Sequence, residues 1–343
     1  MVRALLIVLA LAFGLATATA QGKGDAAVPL YQWIATESVP KGFPVHAVSG
    51  DLIFPDGSSI YVPGGRNASN GWGKRGSTHV VGDPMRPVPV RLHLTWFSYA
   101  EDRFYSGDFA LPADRMATLF AAGVIAPGTG QKIGYDAIIV GMAPGGAAAV
   151  WMAAGPLVLE VAAFRAAPAD LPWSRVLDNP AIARSDYVTD VLTRAVGPDA
   201  AAALRANGPQ PGLFERRHTR RAWVPDVSGD GTASSLWIRY VNGENEPFLV
   251  EGAAPPRVMR AAPQEIRLDW TDPGGTLIGA IIEIDEAEMV TAFAALARQE
   301  DRQPMTLDLR IEPGGRALRA VLRTAHGAWR LRDAKIKLFG RKS

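Results

Sequence analysis

The chain has 343 residues, 48% of them hydrophobic, which is enough for two ordinary domains with real cores. Its 36 Lys and Arg against 34 Asp and Glu leave a formal charge of +2, without the basic excess of a nucleic-acid or acidic-membrane binder. Cysteine is absent, so disulfides, thiolate metal sites and a cysteine nucleophile are excluded as well.

Residues 1–20 read as an export signal. Arg3 supplies the positive start, residues 4–15 the apolar run, and Ala18-Thr19-Ala20 the small-residue cleavage site before Gln21. The run is short for a bilayer span, and no later stretch is long and apolar enough to be one. The expectation is a cleaved, soluble periplasmic protein with no transmembrane span. Without a cysteine at the new N-terminus there is nothing to carry a lipid. Residues 21–30 read as a disordered lead-in.

From Tyr31 the pattern turns to β. Residues 45–54 and 60–62 flank Pro55-Asp56-Gly57-Ser58, a hairpin-like break. A Gly- and Asn-rich loop follows, holding Trp72, Lys74 and Arg75. Residues 90–99 and 104–109 read as paired strands. Pro112 then opens a helix, with Met116, Leu119, Phe120 and Gly123 on one face. A strand over 136–140 leads to Met142-Ala143-Pro144-Gly145-Gly146 and a strand pair broken at Ala154-Gly155.

Residues 168–212 read as a helical connector, with helices over 186–196 and 199–206. The remainder then repeats the plan of the first half. Glu265-Ile266-Arg267-Leu268-Asp269-Trp270 echoes Arg91-Leu92-His93-Leu94-Thr95-Trp96, and Ile311-Glu312-Pro313-Gly314-Gly315 echoes the first Pro-Gly-Gly turn. A second helix carries Met289, Ala292, Phe293 and Leu296 on one face, behind a capping box of Asp285 and Glu288. The last strand is expected over 329–338. The fold class is therefore α+β, mainly antiparallel, with one helix per unit and two similar units, residues 31–167 and 213–343.

Chemistry is harder to find. Gly128-Thr129-Gly130-Gln131-Lys132-Ile133-Gly134 follows a helix and precedes a strand, the reverse of a dinucleotide loop. His46, His79, His93, His218 and His326 are scattered, with no zinc-binding spacing. Asp226-Val227-Ser228-Gly229-Asp230-Gly231 begins like a calcium loop, but Trp237 stands where the closing acid belongs, so a hairpin turn is the better reading. The basic run from Arg216 to Arg221 reads as a solvated face. Trp72, Tyr99 and Tyr105 lie beside turns carrying Arg75, Glu101, Asp102 and Arg103; aromatic and Arg residues in loops are the composition of interface hot spots. With His79 these form the candidate binding set, and neither a cofactor nor a metal is expected.

Ser49-Gly50-Asp51-Leu52-Ile53-Phe54-Pro55-Asp56-Gly57-Ser58, Gly71-Trp72-Gly73, residues 77–82 and residues 95–105 together resemble the bacterial domain of unknown function 2931. The likeness runs through Leu111-Pro112, Tyr135-Asp136, residues 142–146 and Val150-Trp151, covering residues 31–221. Many members are lipoproteins, from which this chain departs by having no cysteine. The resemblance brings no catalytic residues. Members are often encoded near type VI secretion phospholipase effectors, so it implies an immunity role with a secreted effector as partner. The sequence favours a non-enzymatic binding protein. An envelope hydrolase or carbohydrate-binding enzyme using His79 with Glu101 or Asp102 stands as the alternative.

Overall fold

Alternating apolar and polar positions make most strands half-buried, the apolar runs Ala137–Met142 and Ala147–Ala154 are buried on both faces, and nearly all the pairing is antiparallel. The computed structural model describes residues 28–79, 82–126, 129–248, 258–297 and 305–340. The expected signal and residues 21–27 of the lead-in lie outside the described residues.

The first half contains β1 (Ile34–Ser38), β2 (Val45–Ile53), β3 (Arg91–Ser98), β4 (Arg103–Ala110), α1 (Ala113–Ala122), β5 (Ala137–Met142), β6 (Ala147–Ala154) and β7 (Leu157–Arg165). Three helices follow: α2 (Arg184–Val196), α3 (Pro198–Asn207) and α4 (Leu213–Arg217). The second half contains β8 (Arg221–Gly229), β9 (Thr232–Tyr240), β10 (Asn245–Phe248), β11 (Pro263–Thr271), β12 (Leu277–Glu283), α5 (Glu286–Ala297), β13 (Met305–Ile311), β14 (Leu318–Arg323), β15 (Ala328–Arg330) and β16 (Lys335–Gly340). The class is α+β.

One nine-stranded sheet, ordered β1-β5-β6-β7-β10-β9-β11-β12-β16, runs through both halves. Its seam is the pairing of β7 with β10, where Val158 lies opposite Asn245. A six-stranded sheet, built around β4-β3-β2 and edged by the strands Ala167–Ala169 and Ser59–Tyr61, packs on the first half. A five-stranded sheet, the strand Val258–Arg260 followed by β8-β13-β14-β15, packs on the second.

The first core holds Trp33, Leu92, Trp96, Ile138, Val150 and the α1 residues Met116 and Phe120. The second holds Trp223, Leu268, Trp270, Leu309 and the α5 residues Met289 and Phe293. Both cores lie on the same face of the nine-stranded sheet. On its other face, Trp72 and the α4 residue Phe214 cover Ile139, Ala149 and Trp151. Helices α2 and α3 cover the outer face of the six-stranded sheet through Val188, Leu192 and Ala201 against Phe97 and Phe104.

Three local expectations change. The strand expected over 329–338 is two strands in two sheets, because Leu331 is buried and its N–H bonds the Ala320 carbonyl at 3.0 Å, turning the chain across. Segment 226–231 is not a hairpin turn: β8 and β9 belong to different sheets, so the turn carries the chain between layers. The capping box is half made. Glu288 N–H bonds Asp285 at 2.8 Å, while the Glu288 carboxylate accepts from the N–H groups of Arg332 and Asp333.

Candidate functional site

The Gly- and Asn-rich loop is fixed to the free edge of β1 by polar contacts that blunt this edge. Asn70 accepts from Val39 N–H at 2.8 Å, Gly71 N–H donates to the Val39 carbonyl at 2.7 Å, and Gly76 N–H donates to Thr36 at 2.9 Å. The buried Glu37 carboxylate accepts from Ser77 N–H and Oγ and from Arg66. From there the loop crosses the outer face of the sheet. Trp72 meets Trp151 edge-on at 4.8 Å, in space left by Gly141, and Gly73 reaches the backbone of Gly243.

Beyond Gly73 the sheet face is open and forms the floor of a trough of about 720 Å³. Ser235, Trp237 and Arg239 from β9 lie beside Asp269, Arg267 and Glu265 from β11, in cross-strand register. The Lys74–Arg75 side of the loop forms one wall, and Pro156 and Val158 the end at the seam. A neighbouring cavity of about 420 Å³ shares Trp72, Lys74, Arg239 and Glu265, so the two form one extended depression.

The charges here are unevenly paired. Glu265 is engaged by Arg267 at 2.8 Å, Asp269 by Ser235 at 2.7 Å, and Arg75 by Asp136. Neither Lys74 nor Arg239 has a carboxylate partner among the described residues. Burial lowers the Lys74 pKa from its ordinary value, repulsion from Arg239 lowers it further, and Glu265 opposes the shift. The indole N–H of Trp72, which lines both cavities, also lacks a partner among the described residues.

A polar network beside the trough locks the seam. The Glu160 carboxylate on β7 accepts from Asn242 at 3.1 Å and pairs with His218 Nδ1 at 2.7 Å. Arg220 bonds Glu244 at 2.9 Å, and Glu244 accepts from Glu160 N–H at 3.1 Å. With the Arg217–Glu286 pair at 2.7 Å, Arg217, His218 and Arg220 of the basic run face acids, whereas Arg216 is exposed and Arg221 lies over Phe293, so the run is a solvated face only in part. A buried carboxylate left without such partners would carry a large desolvation cost.

The eight residues singled out by sequence separate into three places. Trp72 and Arg75 line the trough. His79 is exposed and bonds Tyr61 at 3.2 Å. Tyr99 and Tyr105 are buried in packing, and only Arg103 of their neighbours is exposed. Tyr99 donates to Asn67 at 2.7 Å, and burial raises its phenol pKa strongly. Tyr105 donates to Glu101 at 2.9 Å, and burial with the Glu101 charge pushes its pKa up to about 12. Glu101 also accepts from Gly145 N–H at 3.0 Å, and Asp102 accepts from Arg184 at 2.8 Å. His79, Glu101 and Asp102 therefore have separate partners, and no hydrogen bond joins the histidine to either acid.

Sequence reading missed Trp237, Arg239, Glu265, Arg267 and Asp269 as a group. Their signal is the period-2 alternation of polar positions on β9 and β11, which says that one face is wet but not what lies over it. Among the described residues there is no cluster of three or more His, Asp or Glu able to hold a metal, and no helix is long and apolar enough to cross a membrane.

Fold and site define an α+β protein whose seam carries an open, charged trough. The chain belongs to the family described as "Protein of unknown function (DUF2931)", whose model matches residues 16–191, just over half of its length. Searches of curated proteins and of solved structures returned no match.

Proposed function

We propose that this is an exported, non-enzymatic binding protein of the bacterial periplasm, built from two copies of one α+β unit and working through the trough at their seam. Its partner is a secreted protein, in the sharpest form a type VI secretion phospholipase effector that it neutralises. The observation that carries the binding reading is the trough itself. It is an open sheet face with a partly buried tryptophan and two cations, Lys74 and Arg239, that have no carboxylate partner among the described residues, flanked by the paired network around Glu160. Aromatic and Arg groups in such settings dominate protein recognition. The effector as partner comes from the family resemblance.

Several features support duplication. In each half a parallel pair (β1 with β5; β8 with β13) extends antiparallel into the next two strands (β6, β7; β14, β15). The register shift at Ala47/Ser49 on β2 has its counterpart at Ala233/Ser235 on β9. Trp33 and Trp223 each accept, at the carbonyl, a bond from a buried arginine, Arg86 at 2.6 Å and Arg260 at 3.1 Å. Each of these tryptophans lies 6.4 Å from the helix phenylalanine of its own half, Phe120 or Phe293. On this reading residues 31–167 and 213–343 are the units and 168–212 the connector that covers the first.

The test is co-expression with a type VI secretion phospholipase effector. Protection of the cells and a complex that survives purification are expected. A chain that neither binds nor protects removes the immunity role.

A further inference from the structure

We propose that the trough receives an extended peptide segment of the partner protein, with one acidic side chain seated between Lys74 and Arg239 and an apolar neighbour against Trp237. The proposal rests on the reading of the trough as the binding surface and adds the chemistry of what enters it.

The cross-strand neighbour of Arg239 is Glu265, but Glu265 is also engaged by Arg267, so this one carboxylate is shared among three cations, Lys74, Arg239 and Arg267, that line the trough. Lys74 is exposed and Arg239 half-buried, both lining the two cavities; their like charges repel, and a carboxylate between them would relieve both at once. Trp72, only 8% exposed and packed against Trp151, gives the same wall a fixed apolar surface.

The remaining charges select a single acidic group over a polyanion. Glu265 and Asp269 line the same floor and would repel a run of phosphates or a nucleic acid. The shape favours a chain over a compact molecule, because two cavities of about 720 and 420 Å³ meet at Lys74 and Arg239. Trp237, half-buried at the centre of the floor, offers an apolar surface to the residue beside the acid.

The test titrates isotope-labelled mature protein with the blocked peptide Gly-Leu-Glu-Leu-Gly and with its Gln counterpart, read by NMR shift changes. The Glu peptide should bind about tenfold more tightly, as a charge-assisted contact implies. Its shifts should map to the loop around Lys74 and to β9 and β11. Lys74→Ala and Arg239→Ala should each erase the preference, Lys74→Arg should keep it, and all three should unfold at the wild-type temperature. Equal binding of the two peptides, no binding of either at millimolar concentration, or shifts elsewhere overturns the proposal. So does binding only to vesicles of anionic phosphatidylglycerol. If the phospholipase effector binds wild type and Arg239→Ala alike, this inference fails while the binding function stands. If the Glu peptide seats but no effector binds, the effector partnership fails and the chemistry of the trough stands.

Discussion

Gly73 and Gly243 meet backbone to backbone across the seam. A Cβ on Gly73 would stand 2.0 Å from the Gly243 carbonyl oxygen, and one on Gly243 would stand 2.8 Å from the Gly73 Cα. Both residues have positive φ, +71° and +88°, so each needs glycine for conformation as well as for space. This contact sets the position of the loop, and with it the wall of the trough. Gly73→Ala should destabilise the protein by more than about 1 kcal/mol. A thermal melt should show a clear fall in midpoint, and an unchanged midpoint would mean that the loop docks without that contact.

Trp72 and Trp237 make an informative pair, since both line the trough but only Trp72 is buried. Trp72→Ala removes the edge-on partner of Trp151 and should cost about 3–5 kcal/mol in denaturant titration. Trp237→Ala should cost under about 1 kcal/mol of stability and show its effect in binding. Equal stability losses would contradict the placement of Trp237 on an open floor.

His46 gives a signed pH dependence. Burial lowers its pKa below the ordinary 6.5, outweighing the bond to Asn67. The unfolded chain therefore binds the proton more readily, so this contribution to stability is full above pH 6.5 and falls away as pH drops toward the lower folded value. His46→Gln should flatten that part of the stability profile. A wild-type profile that rises on acidification through the same window would contradict the assignment.

Much of the framework was legible in the sequence because it is local. The strands β3 and β4, the helix face Met116–Phe120 and the Pro-Gly-Gly turns all follow from period and turn chemistry within about ten residues. What was not legible depends on which layer covers which. Tyr99 and Tyr105 look like loop aromatics, yet α2 packs over Tyr99 and the first core closes around Tyr105. Trp72 was singled out for its Gly-rich setting, which allows the loop to cross a sheet; that it crosses there required Gly243, 170 residues away in sequence. The two-sheet split of the chain's end turned on Leu331, one apolar residue in a run of charged ones.

The most direct test of the trough as the binding surface is the affinity of the protein for a type VI secretion phospholipase effector, the partner proposed above, measured by calorimetry for wild type and Trp237→Ala. The account predicts a tight complex and a loss of about 1–3 kcal/mol of binding on truncation, larger than the stability loss of under about 1 kcal/mol. A complex whose affinity ignores Trp237, or no complex at all, would contradict it.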